Sequence, residues 1–285
     1  MDFSPLSNCT YAVIGCPIDH SRSPQMQNAA FRYCQLPDIY GKLAVTPEEL
    51  PEFFDYARAH LRGVNITVPL KEHAAKLVDE LDDSARGPFS VNTLVIDSGV
   101  IRGYSTDGIG LRDALRETLD FDCKDHAIMI IGAGGAASAA AFQCAHDGAT
   151  ALYLLNRTPE KLQNLADRLR RNYPALPIIC GGAGNDAEVA AAFENSDLVI
   201  HATSLGWHDG DPAPVKLPEI SGNHRPALYD LVYRDNALQQ AARRLNMRIG
   251  QGESMLVYQG AASFTLWTGL PAPVEAMRQA LRETS

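Results

Sequence analysis

The chain has 285 residues, 46% of them hydrophobic and 21% charged, a composition typical of a soluble globular protein with one large or two ordinary domains. With 22 Gly, 17 Pro and no heptad or longer repeat, the sequence excludes collagen-like, coiled-coil, solenoid and disordered classes. The formal charge of −9 at pH 7 leaves no basic surplus to attract a phosphate backbone, so we expect neither nucleic acid nor an anionic membrane as a partner.

The first residues and the cysteines indicate where in the cell the protein is expected. Met1-Asp2-Phe3-Ser4-Pro5 contains neither a basic region nor an apolar run, and nowhere do about 18 apolar residues follow one another. The six cysteines form no C-x-x-C pair and have no histidine at metal-ligand spacing, so we expect reduced thiols and no metal site. These features favour a cytoplasmic protein.

The first part of the chain alternates short β-branched runs with helical patterns. Strands are predicted at 11–15, 39–45, 63–68, 90–96 and 100–104, and helices from about Pro24, from about Pro47 and after Pro69. Proline in the first turn of a helix loses no hydrogen bond, because that N–H has no partner within the helix. The glycine of Asp97-Ser98-Gly99 permits the positive φ of a tight hairpin. The pattern predicts a mixed sheet with helices over it.

A second α/β series follows a helix predicted at 109–119. Its strands are expected at 126–131, 151–155, 178–180, 198–201 and 228–232, and two closing helices at 253–268 and 273–282. Strands that alternate with helices need right-handed crossovers in a mostly parallel sheet, so this part predicts a doubly wound nucleotide-binding domain. Since no Pro/Gly/Ser-rich linker separates the halves, we place the boundary inside the helix near Asp107.

A glycine-rich turn follows the first strand of the second series. In Gly132-Ala133-Gly134-Gly135-Ala136-Ala137, the first glycine allows a tight turn and the second lets the backbone approach a pyrophosphate, while the last alanine lets helix and strand pack closely. The alternative is an ordinary glycine-rich turn, but the strand-turn-helix context favours dinucleotide binding.

The next strand ends at Asn156-Arg157-Thr158, where an NAD site would offer an acidic residue to the ribose hydroxyls. A guanidinium and a hydroxyl stand there instead, and Lys161 follows one helical turn later. Because arginine matches phosphate oxygens with two charge-assisted hydrogen bonds, this set favours the 2′-phosphate of NADP. The alternative is a solvated Arg157 and a Thr158 that caps the following helix.

Polar residues at strand ends and loops are candidates for a substrate site in the first half. Ser21 and Ser23 lie on a loop ahead of a helix and suit either a bound carboxylate or, for Ser23, a simple helix cap. Asn65 and Thr67 share a face of an otherwise apolar strand and need polar partners from protein or ligand. Lys71 follows at the strand's carboxyl end, where open α/β sheets bind ligands, although a lone lysine there is usually a surface charge.

Further junctions add an amide and a carboxylate. Asn92 and Asp107 would each, taken alone, be turn or cap residues. Tyr233 and Gln259 would likewise be ordinary helix and strand polar groups.

Taken together, these segments resemble the shikimate dehydrogenases, the NADPH-dependent 3-dehydroshikimate reductases of chorismate and aromatic amino-acid biosynthesis. The matching segments are Val-Ile-Gly-Cys-Pro-Ile-Asp-His-Ser-Arg-Ser-Pro (13–24), Asn-Ile-Thr-Val-Pro-Leu-Lys (65–71), Val-Asn-Thr (91–93), Thr-Asp-Gly (106–108), Gly-Ala-Gly-Gly-Ala (132–136), Asn-Arg-Thr (156–158), Ala-Thr-Ser (202–204) and Gln-Gly-Ala (259–261). They occur in the family's order over nearly the whole chain. Many families share the glycine loop, but Ser-x-Ser-Pro combined with Asn-x-Thr-x-Pro-x-Lys is specific.

The resemblance implies an α/β protein of two domains with the active site in the cleft between them. A mixed-sheet shikimate-binding domain would comprise residues 1–108 and, through the C-terminal helices, 254–285, and a Rossmann NADP-binding domain would comprise residues 109–253. The resemblance also implies that Lys71 is the catalytic acid/base and that Asp107 is its partner. The expected assembly is a monomer or homodimer.

The resemblance also implies the ligand-binding residues. Shikimate would be bound by Ser21 and Ser23 at its carboxylate, with Tyr233 nearby, and by Asn65, Thr67, Asn92 and Gln259 at its ring hydroxyls. NADP would be bound by Gly132, Ala133, Gly134, Gly135, Ala136, Asn156, Arg157, Thr158, Lys161, Thr203, Ser204 and Gly252.

The chain departs from the family at Ser105, where Asn is usual, and at Gln27, where His is usual. These changes bear on the support of Asp107 and on the choice among related cyclohexene acids. One alternative is a quinate or quinate/shikimate dehydrogenase that uses NAD, which the serine pair and Arg157 disfavour. Another is a non-catalytic NADP-binding sensor, which the joint retention of Lys71 and Asp107 disfavours.

Overall fold

The computed structural model describes residues 1–220 and 224–283, and the chain divides into two compact units. The first unit comprises Met1–Gly110 and Leu256–Ser285, and the second comprises Leu111–Met255. No helix among the described residues is both long enough and apolar enough to cross a membrane.

The first unit contains a mixed six-stranded sheet. Its elements are a 3-10 helix (Ser4–Leu6), β1 (Tyr11–Gly15), α1 (Ser23–Tyr33), β2 (Tyr40–Ala44), α2 (Leu50–His60), β3 (Gly63–Ile66), α3 (Lys71–Ala74), β4 (Glu80–Leu81), α4 (Asp83–Arg86), β5 (Thr93–Asp97), β6 (Val100–Tyr104), the start of α5 (Asp107–Leu119), most of α10 (Gly252–Thr268) and α11 (Val274–Arg282). The strand order is β2-β1-β3-β5-β6-β4; β5 is antiparallel to both of its neighbours, whereas β1, β2 and β3 are parallel. The predicted mixed sheet is confirmed.

The sheet of the first unit buries side chains on both faces. Along β1, Ala12 and Ile14 join one apolar cluster with α2, and Tyr11 and Val13 join another with α1, α10 and α11. This alternation is the period of two that a strand imposes on its side chains. The C-terminal helices therefore complete the core of the N-terminal sheet.

The second unit is a doubly wound parallel sheet, as predicted. Its elements are β7 (Ala127–Ile131), α6 (Gly135–His146), β8 (Ala151–Asn156), α7 (Pro159–Asn172), β9 (Ile178–Gly182), α8 (Asp186–Glu194), β10 (Leu198–His201), β11 (Ala227–Asp230), α9 (Ala237–Arg244) and β12 (Ile249–Gln251). The strand order is β12-β11-β10-β7-β8-β9 with every pair parallel, which is the Rossmann arrangement.

Two predicted elements begin three residues later in the structure. The helix expected from Pro47 begins instead at Leu50, because residues 47–49 form a turn in which the Glu49 carboxylate accepts the Thr46 N–H. The strand expected at 90–96 begins at Thr93. The hairpin prediction is confirmed, since Ser98 and Gly99 adopt φ of 50° and 78° between the paired residues Asp97 and Val100.

Candidate active site

Lys71 and Asp107 form an ion pair in the first unit. Lys71 is the first residue of α3, just past β3, and Asp107 is the first residue of α5, just past β6. Lys71 Nζ lies 2.6 Å from Asp107 Oδ2, and the two side chains are only 12% and 6% exposed. A short ion pair with so little solvent contact holds the ammonium group in one position.

Asn92 fixes the carboxylate of this pair. Its Nδ2 donates to Asp107 Oδ1 and to Thr106 Oγ1, both at 2.9 Å, and its Oδ1 accepts the Thr106 N–H at 2.7 Å. Asn92 itself is 2% exposed. Because both oxygens of Asp107 are engaged, the carboxylate cannot rotate without breaking at least one of these contacts.

Asn65 lies at the centre of a buried polar network on β3. Its Oδ1 accepts the Tyr40 hydroxyl at 2.7 Å, and its Nδ2 lies within 3.1 Å of the Asn92 carbonyl, Thr93 Oγ1 and Ser263 Oγ. Burial raises the pKa of Tyr40 well above its usual value, so Tyr40 is a neutral donor. With its N–H groups engaged by protein acceptors, Asn65 retains only the second lone pair of Oδ1 for a ligand.

Ser263 and Thr93 are site residues that sequence reasoning missed. Ser263 Oγ lies 2.8 Å from Thr93 Oγ1, 3.3 Å from Thr106 Oγ1 and 3.0 Å from the Gln259 carbonyl oxygen, to which it donates. The available signal was the spacing of four residues between Ser263 and Gln259, which puts both on one face of α10. These hydroxyls tie α10 to the strands that carry the candidate site.

Gln259 reaches the same group of residues from α10. Its Oε1 lies 3.4 Å from Asn92 Nδ2, and its Nε2 donates to the Leu256 carbonyl at 2.7 Å. A Cβ at Gly110 would lie 2.8 Å from both Cβ and N of Gln259, which is closer than real contacts allow. A glycine is therefore needed for α5 and α10 to approach so closely.

The two serines lie at the start of α1. Arg22 is the N-cap residue and Ser23 the first helical residue, so the helix-cap alternative for Ser23 is wrong. Ser21 Oγ accepts the Ser23 N–H at 3.4 Å, and Ser23 is buried while Ser21 is half-buried. Thr67 is also half-buried, directly after β3, and its hydroxyl makes no hydrogen bond within residues 1–220 and 224–283.

The two departures from the family have separate surroundings. Ser105 is buried, and its hydroxyl has no hydrogen-bond partner in the described part of the chain. The side-chain bonds that hold Asp107 come instead from Asn92 and Lys71. Gln27 is fully buried and donates from Nε2 to the Gly260 carbonyl at 2.9 Å, so it joins α1 to α10 next to Gln259.

The glycine loop lies between β7 and α6 in the second unit. Gly132 has a φ of 128°, and a Cβ there would lie 2.6 Å from the Ala202 carbonyl oxygen. Gly134 is exposed at the N-cap of α6, and a Cβ on it would meet no described atom within 4 Å. The loop therefore leaves open space in front of a helix N-terminus, which fits a pyrophosphate. Ala133 is buried, and Gly135 and Ala136 are half-buried in the first turn of α6.

A basic group follows β8. Arg157, Thr158 and Lys161 are exposed, and no carboxylate among the described residues forms an ion pair with Arg157 or Lys161. Thr158 occupies the N-cap position of α7, but its hydroxyl makes no capping bond to any described residue. Asn156 Nδ2 donates to the Thr158 carbonyl at 3.0 Å. Two cations without an ion-pair partner in the described part of the chain, next to the Thr158 hydroxyl, fit a phosphate monoester.

The other residues of the second unit that were predicted to bind a ligand are Thr203, Ser204, Gly252 and Tyr233. Thr203 is half-buried after β10, where its Oγ1 lies 2.6 Å from His201 Nε2, and Ser204 is exposed. Gly252 is the first residue of α10. Tyr233 packs edge-on against Trp207, with ring centroids 4.8 Å apart.

Three family models match the chain. The shikimate dehydrogenase substrate binding domain matches residues 13–94, the shikimate / quinate 5-dehydrogenase family matches residues 114–206, and the shikimate 5′-dehydrogenase C-terminal domain matches residues 252–282.

Curated proteins and solved structures are similar over most of their length. The shikimate dehydrogenase (NADP(+)) of Moorella thermoacetica is 41% identical over 95% of this chain and 92% of its own, and that of Methanopyrus kandleri is 37% identical over 95% and 94%. The crystal structure of shikimate dehydrogenase from Aquifex aeolicus has a TM-score of 0.85 at 30% identity and covers 96% of this chain and 98% of its own. Shikimate 5-dehydrogenase from Thermus thermophilus, solved with NADP(H) and shikimate, has a TM-score of 0.83 at 31% identity over 97% and 100%.

Proposed function

The chain belongs to the shikimate dehydrogenase family, and on that premise we propose how its residues carry out the reversible NADPH-dependent reduction of 3-dehydroshikimate to shikimate. The protein is an NADP-dependent oxidoreductase acting on a CH–OH group. We propose that it acts in the biosynthesis of chorismate and aromatic amino acids. The observation that carries the proposal is the short, nearly buried contact between Lys71 and Asp107.

Lys71 is the proposed acid/base. Bound NADPH supplies hydride to the ring carbonyl carbon, and the carbonyl oxygen then needs a proton. The Lys71 ammonium polarises that oxygen and donates a proton to it as negative charge develops. In the oxidation of shikimate, the neutral amine accepts the proton from the same hydroxyl.

Asp107 is the proposed partner that holds Lys71 in place. Its carboxylate keeps the ammonium within 2.6 Å, and Asn92 keeps the carboxylate from turning. A catalytic acid must be positioned before the transition state forms, because a misplaced donor loses much of its effect. We therefore assign Asn92 to the support of Asp107 as well as to the substrate.

The substrate-binding assignments belong to the same proposal. We assign the carboxylate of shikimate to Ser21 and Ser23, with Tyr233 near it, and the ring hydroxyls to Asn65, Thr67, Asn92 and Gln259. The Thr67 hydroxyl, which bonds to none of the described residues, and the remaining lone pair on Asn65 Oδ1 support this assignment. Apart from Tyr233, the residues assigned to shikimate lie within 1–108 and 254–285.

NADP would be bound by residues 109–253. We assign the pyrophosphate to the loop of Gly132, Ala133, Gly134, Gly135 and Ala136, and the 2′-phosphate to Asn156, Arg157, Thr158 and Lys161. Thr203, Ser204 and Gly252 complete the proposed set. Arg157 and Lys161, which form no ion pair with the described residues, support NADP rather than NAD.

The cellular location, the assembly and the partners are proposed from the sequence. We propose a cytoplasmic monomer or homodimer that binds shikimate and 3-dehydroshikimate and no nucleic acid. The net charge of −9 supports the last point.

The test is a turnover assay at the absorbance band of the reduced nicotinamide. We expect reduction of NADP with shikimate, with slower rates for NAD and for quinate. A faster rate with quinate and NAD would favour a quinate dehydrogenase, and binding of NADP without turnover would favour a sensor.

A further inference from the structure

His201 joins a buried carboxylate to a half-buried hydroxyl. It is the last residue of β10 and is fully buried. Its Nδ1 lies 2.8 Å from Asp230 Oδ1, and its Nε2 lies 2.6 Å from Thr203 Oγ1. The reaction described above gives this histidine no role.

Asp230 is an acceptor for every group around it. Its Oδ1 also accepts the Val232 N–H at 2.9 Å, and its Oδ2 accepts from Asn236 at 2.7 Å and Gln239 at 2.9 Å. Burial acts to raise the pKa of Asp230, but the hydrogen bonds from His201, Asn236 and Gln239 leave that pKa below its usual value. Since an ionised carboxylate can only accept, the proton in the contact with His201 must be on Nδ1.

The state of Nε2 then sets the polarity of Thr203. In the neutral imidazole with its proton on Nδ1, Nε2 has only a lone pair, so the Thr203 hydroxyl donates to it. Thr203 Oγ1 already accepts the Leu205 N–H at 3.2 Å. One lone pair of the oxygen remains, and it can only accept a hydrogen bond.

Thr203 lies at the sheet edge that carries the glycine loop. His201 is paired with Ile131 in the sheet, and the Ala202 carbonyl oxygen lies 2.6 Å from the position that a Cβ of Gly132 would take. The hydroxyl is thus next to the loop assigned to the dinucleotide.

We propose that His201 is held as the neutral imidazole with its proton on Nδ1, and that it thereby acts as a positioning residue that makes Thr203 an obligate hydrogen-bond acceptor for the dinucleotide. The inference rests on the proposed function, since it takes NADP as the ligand of this unit. The group that Thr203 binds must then carry an N–H or O–H, as the nicotinamide carboxamide and the ribose hydroxyls do. Ionised phosphate oxygens carry no proton and are excluded as its partner.

The tautomer is measured on the free wild-type protein by ¹⁵N NMR of the histidine side chains, with His201→Asn to assign the signals. We expect the His201 Nδ1 to be protonated and Nε2 to be unprotonated at neutral pH. Protonation of both nitrogens, or of Nε2 alone, would overturn the proposal without bearing on whether the chain binds NADP.

The coupling is measured by titration calorimetry with NADP. Thr203→Val removes the acceptor and should raise the Kd about two- to tenfold, the range of one neutral hydrogen bond, while Thr203→Ser should leave it nearly unchanged. His201→Asn keeps an N–H for Asp230 but is too short to reach Thr203, and it should also raise the Kd.

The double variant shows whether His201 acts through Thr203. In a Thr203→Val background, His201→Asn should have no further effect on the Kd. If His201→Asn changes the Kd equally in the wild-type and Thr203→Val backgrounds, or changes it in neither, the proposal is overturned. If His201→Asn does not fold, Thr203→Val, which removes the hydroxyl beside Nε2, serves to assign the His201 signals, and the tautomer measured in the wild-type protein still decides.

An analogue of NADP shows whether the nicotinamide carboxamide or a ribose hydroxyl donates the hydrogen bond to Thr203. The 3-acetylpyridine analogue of NADP has a methyl group in place of the carboxamide nitrogen. If the carboxamide is the donor, Thr203→Val should have no effect on the Kd of the analogue, and if a ribose hydroxyl is the donor, it should have its full effect. Failure of the wild-type chain to bind NADP at all would instead contradict the proposed function.

Discussion

Lys71 and Asp107 begin two different helices of the same unit and meet with their charged atoms 2.6 Å apart. Each helix follows a strand of the same sheet, α3 after β3 and α5 after β6, so the sheet sets the distance between them. The ammonium is therefore placed by the fold before any substrate is bound.

The first prediction concerns proton transfer. Lys71→Ala should lower kcat about 10²- to 10⁴-fold, the usual contribution of a positioned proton donor, with a smaller change in substrate affinity. Asp107→Asn should also be damaging, but the double variant should lose far less than the product of the two effects, because the residues act as one unit. The measurement is the steady-state rate at saturating NADP and shikimate.

Lys76→Ala is the matched control for this series, since Lys76 is an exposed lysine five residues further on. Tm values would identify misfolded variants. A folded Lys71→Ala enzyme with turnover within a few-fold of the parent would show that another group carries the proton.

The second prediction concerns the choice of cofactor. Arg157→Ala should raise the KM for NADP much more than that for NAD, because a charge-assisted hydrogen bond contributes about 1.5–3 kcal/mol and only NADP has the 2′-phosphate. Arg171→Ala, at an exposed arginine of the same unit, should change neither. Equal increases for both cofactors would contradict the assignment of Arg157.

The third prediction concerns the substrate carboxylate. Ser23→Ala should raise the KM for shikimate and leave the affinity for NADP nearly unchanged, since the proposed NADP residues belong to the other unit. The two constants would be measured by kinetics and by direct titration of NADP. If the variant instead has normal kinetics and only a lower Tm, Ser23 is a structural residue.

The fourth prediction concerns acid stability. Asp230 has a pKa below its usual value in the folded state, despite the opposing effect of burial, so its contribution to stability is fully present above the unfolded-state pKa. That contribution is lost as the pH falls through the lower, folded-state pKa. Asp230→Asn should therefore have a lower Tm at neutral pH and a smaller further loss between about pH 5 and about pH 2.

Asp83→Asn serves as the control for acid stability, because the Asp83 side chain is 93% exposed. The Tm of Asp83→Asn should equal that of the parent across the whole pH range. A loss of Tm in Asp230→Asn as large as that of the parent would show that Asp230 does not contribute to the acid sensitivity.

The sequence predicted both sheets because hydrophobic patterns report burial locally. The two edge strands it omitted, β4 and β12, have two and three residues, too few to show a period of two. Pro47 was misleading because proline suits a turn as well as a first helical position.

The candidate site was predicted where its residues stand in short motifs at strand ends. Asp107 and Lys71 are examples, and the structure brings them into contact. Ser263 and Thr93 were missed because their hydroxyls become site residues only when α10 packs beside β5. His201 has no sequence signal at all, since its partner Asp230 is on another strand.

The first unit is built from two stretches of chain separated by the whole of the second unit. Its core includes Phe264, Trp267 and Met277 near the C-terminus, packed with Tyr11 and Phe31 near the N-terminus. During synthesis on the ribosome, the nucleotide-binding unit is therefore complete while the N-terminal sheet still lacks part of its core. The unit whose synthesis begins first therefore keeps an apolar face uncovered until α10 and α11 have been made.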